Sequence, residues 1–217
     1  MLISLFENWP AFAVAIVMGF VVGITIHEAA HAYSAYRLGD DTAYWQGRVT
    51  LNPLSHLDVF GSLMLLMAGF GWGKPTPVML SKLRGGVFGP VIVALAGPAS
   101  NLFILSVCAI LVRIPTFQSG YLALTVIGVA FVNALLFVFN LIPIPPLDGS
   151  KVIFPFLPRA LDGFVNFMNQ YGPMILLGLV LLLVFAPGGY SPLSLILNLV
   201  EPLLVFFGIP WPPPFFG

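Results

Sequence analysis

Charge is scarce in this chain. Lys and Arg together number 8 and Asp and Glu 8 among 217 residues, 7% of the sequence, where a soluble domain carries about a quarter. Apolar residues make up 59% and the mean hydropathy is +1.02, so the chain is expected to be an integral membrane protein. The formal net charge is zero and no basic tract stands out, so no nucleic-acid partner is expected. The single Cys108 excludes an internal disulfide and a cysteine-based zinc site, and packing is its expected role within an apolar run. Internal repeats are missing too, and the length fits one domain. A cleavable leader is not expected: Glu7 stands where a basic cluster would, so the first span should remain in the mature protein.

Histidine is rarer still. Of only three, two fall in His27-Glu28-Ala29-Ala30-His31, where a long apolar run meets its first charges. Residues four apart share a helix face, so both imidazoles can reach one metal ion, with Glu28 projecting beside them. Two neutral imidazoles suit zinc, and the adjacent carboxylate can take a proton from a zinc-bound water. The alternative is a pair of core histidines bonded to a glutamate. That would place ionisable groups at membrane depth for packing alone, a costly arrangement that usually accompanies function.

The apolar runs predict an all-α polytopic protein, a helical bundle with a buried zinc site. Residues 11–38 exceed the roughly 20 needed to cross the hydrocarbon layer, and the histidines lie towards their C-terminal end. Gly39-Asp40-Asp41 stops this helix. Arg48-Val49-Thr50-Leu51 is the best strand candidate, a small β element at the interface, and Asn52-Pro53 ends it. The run at 60–70 is short and glycine-rich and reads as re-entrant or interfacial. Residues 87–112 and 121–142 are full spans. Pro143, Pro145 and Pro146 then bar regular helix and leave Leu147-Asp148-Gly149 on extended or turning backbone. Residues 151–170 read as an interfacial segment, and 174–185 with 193–207, around Pro187-Gly188-Gly189, as two short spans or a hairpin. The proline-rich stretch 210–214 is expected to be an extended or disordered tail.

Charge placement tests this topology. If the 60–70 run does not cross, Arg37, Arg48, Lys74, Lys82 and Arg84 lie on one side, Lys151 and Arg159 return to it, and Arg113 alone lies opposite. The basic side is then cytoplasmic and the N-terminus outside. The same arrangement puts Asp148 at the membrane face of His27 and His31; a crossing at 60–70 would send it to the other. A catalytic zinc usually keeps three protein ligands and a water, which makes Asp148 the candidate third ligand, with a plain Asp-Gly turn as the alternative.

His27-Glu28-Ala29-Ala30-His31 together with Asn140-Leu141-Ile142-Pro143-Ile144-Pro145-Pro146-Leu147-Asp148-Gly149 resembles the site-2 protease family of intramembrane zinc metalloproteases. Ala96-Gly97-Pro98 with Asn101, and Asn52-Pro53-Leu54-Ser55-His56-Leu57-Asp58, are similar to further signatures of its compact members, which lack PDZ and CBS domains. The resemblance covers about residues 11–155, a catalytic core, with a C-terminal hydrophobic pair at about 164–207 completing a single domain over 1–217. It implies one Zn²⁺ per chain held by His27, His31 and Asp148, with Glu28 as the catalytic glutamate. It also implies cleavage of peptide bonds in or near transmembrane segments of membrane-protein substrates, towards the cytoplasmic face of the cell membrane.

Asn140 is similar to a family asparagine that contacts substrate, and its amide could donate to an oxyanion or serve as interhelical glue. Asn101 reads as glue, with Gly97 permitting close helix contact, and His56 as ordering an interfacial loop with Asp58. One departure is Ser150-Lys151 where the family often has Gly-Arg, which keeps the positive charge but loses a fork-shaped donor. The loops leave no room for an inserted domain, so substrate filtering falls to the membrane core or a partner. A substrate helix would have to unwind, and adding it as a strand to the 48–51 edge would hold it open. The competing functional class is a membrane metal transporter or metal sensor using the same His/Asp site, against which stand the lack of a His-rich loop and the few acidic residues on the other spans. A catalytically silent scaffold is disfavoured by the complete set of His27, Glu28, His31 and Asp148.

Overall fold

A computed structural model describes residues 10–185 and 192–210. The expectations for the opening residues, for Pro187-Gly188-Gly189 and for the tail beyond Pro210 lie outside the described residues. Helix α1 is Pro10–Arg37, α2 is Thr42–Trp45, α3 is Val59–Ala68, α4 is Phe88–Leu111 and α5 is Gly120–Asn140; α6 is Asp148–Ile153, α7 is Asp162–Phe185 and α8 is Pro192–Phe206. Among the described residues, four stretches are long and apolar enough to cross a membrane: Pro10–Arg37, Phe88–Leu111, Gly120–Asn140 and Arg159–Leu182.

Helices α1, α4 and α5 pack pairwise and form the core. Within a bilayer helices associate by close van der Waals fit, which small residues permit. A Cβ on Gly19 would stand 3.0 Å from Val129 Cα, and one on Gly128 would stand 2.6 Å from Ala15 Cβ, so α1 and α5 touch almost backbone to backbone. Phe12, Ile16, Phe20 and Ile24 of α1 meet Leu105 and Cys108 of α4 and Val126 and Ile127 of α5, which gives Cys108 the packing role expected of it. Helix α8 joins this core through Val200 and Leu204.

Helix α3 has 10 residues, about 15 Å of rise, half of what a crossing needs. Asp58 caps its start, accepting from the Gly61 N–H at 2.8 Å, and Gly69 ends it with φ 75°. The chain therefore returns on the side it left, and the C-terminal ends of α1 and α5 share one face of the bundle.

Three expectations need correction. Residues 48–51 form no strand; among the described residues the only β contact is an isolated bridge between Leu57 and Gly73. The cause is Arg48, whose side chain turns inward, is 3% exposed and donates to the Lys74 carbonyl, while Asn52 caps a short 3₁₀ turn at Pro53–Ser55. Asp148 does not lie on turning backbone: Leu147 is extended (φ −63°, ψ 154°) and Asp148 opens α6. The run at 174–185 is no separate short span, because its helix begins at Asp162 and continues through Pro173 for 24 residues.

An irregular segment, 73–79, lies instead as a strap against the C-terminal part of α1. Its first contact is the Lys74 N–H donating to His56 O at 2.7 Å. Further on, the Met79 N–H donates to Asp40 Oδ2 at 2.6 Å and the Arg84 N–H to Leu38 O at 2.8 Å. Asp40 is fully buried and also accepts from the Thr42 N–H and hydroxyl. Burial pushes its carboxyl up, but the Thr42 hydroxyl and the Met79 and Thr42 N–H groups outweigh that and hold it below the usual carboxylate value.

Candidate active site

Helix α1 runs ten residues past His27 and six past His31, which sets the two imidazoles roughly 15 and 9 Å below its end. Helix α5 breaks at the prolines after Asn140, and the returning chain delivers Asp148 as the first residue of α6. The three side chains converge. His31 Nε2 lies 3.0 Å from His27 Nε2, and Asp148 Oδ2 lies 3.1 Å from the first and 3.2 Å from the second. All three are at most 7% exposed.

The other ring nitrogens decide what this convergence means. His27 Nδ1–H donates to Asn101 Oδ1 at 2.6 Å, and His31 Nδ1–H donates to the Val93 carbonyl at 2.7 Å. A neutral imidazole carries one proton, so both Nε2 atoms present lone pairs towards each other and towards a carboxylate oxygen. With both rings neutral, three acceptors meet here without a donor between them, an arrangement that a cation would relieve. Their spacing is close to the edge of a tetrahedron with zinc–ligand bonds, about 3.3 Å. Among the described residues, this is the one group of three or more His, Cys, Asp or Glu side chains able to hold a metal ion.

Neighbouring residues fix the group from every side. Gly97 of α4 faces the imidazoles with no side chain, and a Cβ there would stand 2.3 Å from His31 Nε2. Lys151, three residues along α6, donates to Asp148 Oδ1 at 3.1 Å and leaves Oδ2 to the histidines. Glu28 is 9% exposed; its Oε2 accepts from the Thr76 N–H at 2.8 Å, while the Thr76 hydroxyl donates to the Glu28 carbonyl at 3.0 Å. The strap thereby holds the glutamate from above.

Comparison with known proteins identifies the kinship. A Bacillus subtilis protein provisionally named zinc metalloprotease YwhC is 39% identical over 171 residues, 75% of this chain and 78% of the relative. The chain belongs to the site-2 protease family. Two mycobacterial proteins provisionally named zinc metalloprotease Rip2 agree: that of Mycolicibacterium smegmatis is 31% identical over 181 residues, and that of Mycobacterium tuberculosis 31% over 180. Each alignment covers 77% of this chain and 67% of the relative. No family model and no solved structure matches.

In this member of the family the remaining residues singled out in the sequence fall in different places. Asn140 ends α5, where its Nδ2 donates to Leu136 O of the same helix at 2.9 Å, a local bond rather than an interhelical one. Asn101 does join helices, donating to Gly23 O of α1 at 3.3 Å and Asn133 Oδ1 of α5 at 2.9 Å, but its oxygen is spent on His27. His56 is fully buried and orders its loop through Thr50 O at 2.8 Å, while Asp58 caps α3. Burial and the neighbouring Arg48 push the His56 pKa down against the pull of the Thr50 carbonyl, so the ring is neutral near pH 7. Sequence reasoning missed Thr76, Asn133 and Asp40. For Asn133 a signal existed, an amide in the interior of an apolar span; for Thr76 there was none. An open apolar hollow of about 450 Å³, lined by Val112, Phe117, Leu124, Ile127 and Pro210, lies at the far end of the bundle.

Proposed function

We propose that this chain is an intramembrane zinc endopeptidase, hydrolysing peptide bonds in or near transmembrane segments of membrane-protein substrates. The observation that carries the proposal is the meeting of two imidazole Nε2 atoms and a carboxylate oxygen at 3.0 to 3.2 Å, below the end of a helix long enough to span. His27, His31 and Asp148 would hold one Zn²⁺. Bound there, the ion supplies Lewis acidity, polarising a carbonyl oxygen and acidifying a water.

The chain's own residues do the rest. Glu28 accepts a proton from the attacking water and passes it to the departing amine. Its Oε2 is held by the Thr76 N–H, which leaves Oε1 as the atom that carries the proton. Lys151 keeps Asp148 turned inward, and water would have to reach the site from the nearer membrane surface. Asn140 has a second amide N–H beyond the one given to Leu136, suited to a substrate carbonyl. Since a helical peptide bond is shielded by its own hydrogen bonding, the substrate must reach Glu28 locally extended. The excess of Lys and Arg on the strap side points to a site facing the cytoplasm of the cell membrane.

The test uses full-length protein in detergent or proteoliposomes with a panel of single-span substrates. Wild type should bind one zinc per chain and cleave. Glu28→Gln should keep zinc and lose cleavage, and substantial residual proteolysis would remove Glu28 from the role of base. Metal flux across proteoliposomes without cleavage would instead favour a transporter.

A further inference from the structure

Of the buried polar groups that the proposed chemistry leaves unused, Asn133 is the most constrained. It lies on α5 in an apolar span, is 0% exposed and touches none of the metal-binding group directly. Its Nδ2 donates to Val129 O at 2.9 Å within its own helix, which turns its Oδ1 towards α4. There it accepts from Asn101 Nδ2 at 2.9 Å. An amide has a donor end and an acceptor end, so fixing Asn101 Nδ2 on Asn133 fixes Asn101 Oδ1 on the opposite side, against His27 Nδ1 at 2.6 Å. That oxygen can only accept, so a neutral His27 carries its one proton on Nδ1 and leaves Nε2 bare.

We propose that Asn133 is a positioning residue for His27: through the Asn133–Asn101–His27 chain it selects the imidazole tautomer whose Nε2 can bind a metal. The inference rests on the proposed zinc site for its consequence, but the tautomer itself exists without metal. Turned end for end, the Asn101 amide would present a donor to His27 Nδ1, drive the proton to Nε2 and block the ligand position. Without Asn133, only the longer 3.3 Å bond from Asn101 Nδ2 to Gly23 O opposes that rotation. A close neighbour makes the lock tight, since a Cβ on Gly23 would stand 2.9 Å from Asn133 Oδ1.

The experiment compares Asn133→Leu, which removes the acceptor, with Asn133→Asp, which keeps an oxygen there in either protonation state. Both lose the amide N–H that Val129 O accepts, and the His27 tautomer is a reading that a merely structural role would not move. The first reading is nitrogen NMR of histidine-labelled, metal-free full-length protein at roughly pH 8, above the ordinary imidazole pKa; three histidines make assignment by single substitution direct. Wild type and Asn133→Asp should show His27 protonated on Nδ1, and Asn133→Leu a mixture of tautomers with the His56 signals unchanged. The second is zinc affinity by chelator competition, expected to fall about 10- to 100-fold in Asn133→Leu, the usual loss for a partner behind a metal ligand, and less than about threefold in Asn133→Asp. Should Asn133→Leu not fold, Asn133→Ala removes the same oxygen without added bulk.

Equal zinc affinity in the Leu and Asp variants, or an unchanged His27 tautomer once the oxygen is gone, overturns the proposal. A wild-type protein that binds no zinc would instead refute the functional reading, and the tautomer comparison would still judge the relay.

Discussion

Adding one methyl group at Gly97 is the sharpest perturbation the structure offers. An ideal Cβ there would lie 2.3 Å from His31 Nε2 and 2.6 Å from both Cε1 and Nε2 of His27, roughly an ångström inside normal contact distance. Neither ring can swing aside, because His27 is tied to Asn101 at 2.6 Å and His31 to the Val93 carbonyl at 2.7 Å. Relief must come from α4 withdrawing from α1. A shift of that size parts Val93 O and Asn101 from the rings they orient, so both donors lose their aim together. Overpacking of this kind costs about 1–3 kcal/mol of stability, and a misplacement near 1 Å costs on the order of 10²-fold in rate. Gly97→Ala should therefore stay largely folded, bind zinc about 10- to 100-fold more weakly and cleave poorly. Gly178→Ala is the control, since a Cβ there meets nothing within 4 Å. Metal content, chelator competition and substrate cleavage measured on the two variants side by side decide the matter; wild-type zinc affinity and turnover in Gly97→Ala would refute the reasoning.

Further expectations follow from the same contacts. Asp40→Ala leaves the Met79 and Thr42 N–H groups without their acceptor and should destabilise the protein by about 2–4 kcal/mol at neutral pH, read by thermal melting. Because the Asp40 carboxyl titrates below its ordinary value of 3.8, its contribution is complete above that value and fades as pH falls through the lowered one. The gap between wild type and variant should accordingly close in acid; a gap constant down to strongly acidic pH would reject this account. Lys151→Met removes a half-exposed partner of Asp148, so zinc affinity should fall only about two- to fivefold, as an exposed ion pair allows. A hundredfold loss would show that Lys151 does more than orient the carboxylate. Gly61→Ala would set a Cβ 2.1 Å from Trp72 O, and limited proteolysis should then cut the 73–79 strap sooner than in wild type.

How far the sequence could be read depended on whether a feature was local. The His27/His31 pair is one turn of one helix, and its spacing announced a shared face. Asp148 was reachable because counting spans put it at the same membrane face. Asn133 and Thr76 depend on how helices cross and where a loop lies down, and spacing records neither. The β-favouring residues at 48–51 misled because propensity takes no account of Arg48 burying its guanidinium under the Lys74 carbonyl. The strap that does make the bridge, 73–79, contains Pro75 and Pro77, the residues that argue most strongly against a strand. The apolar run at 174–185 starts just past Pro173, yet α7 carries that proline in its interior, as helices in lipid can.

The grip on Glu28 comes from a peptide group. Replacing Thr76 with alanine deletes the hydroxyl and keeps the amide hydrogen that meets Oε2, so a conventional alanine survey would pass over this position as nearly silent. Only an exchange that edits the main chain itself, proline or an ester bond at residue 76, would test whether the loop between two spans bears on the chemistry proposed for Glu28.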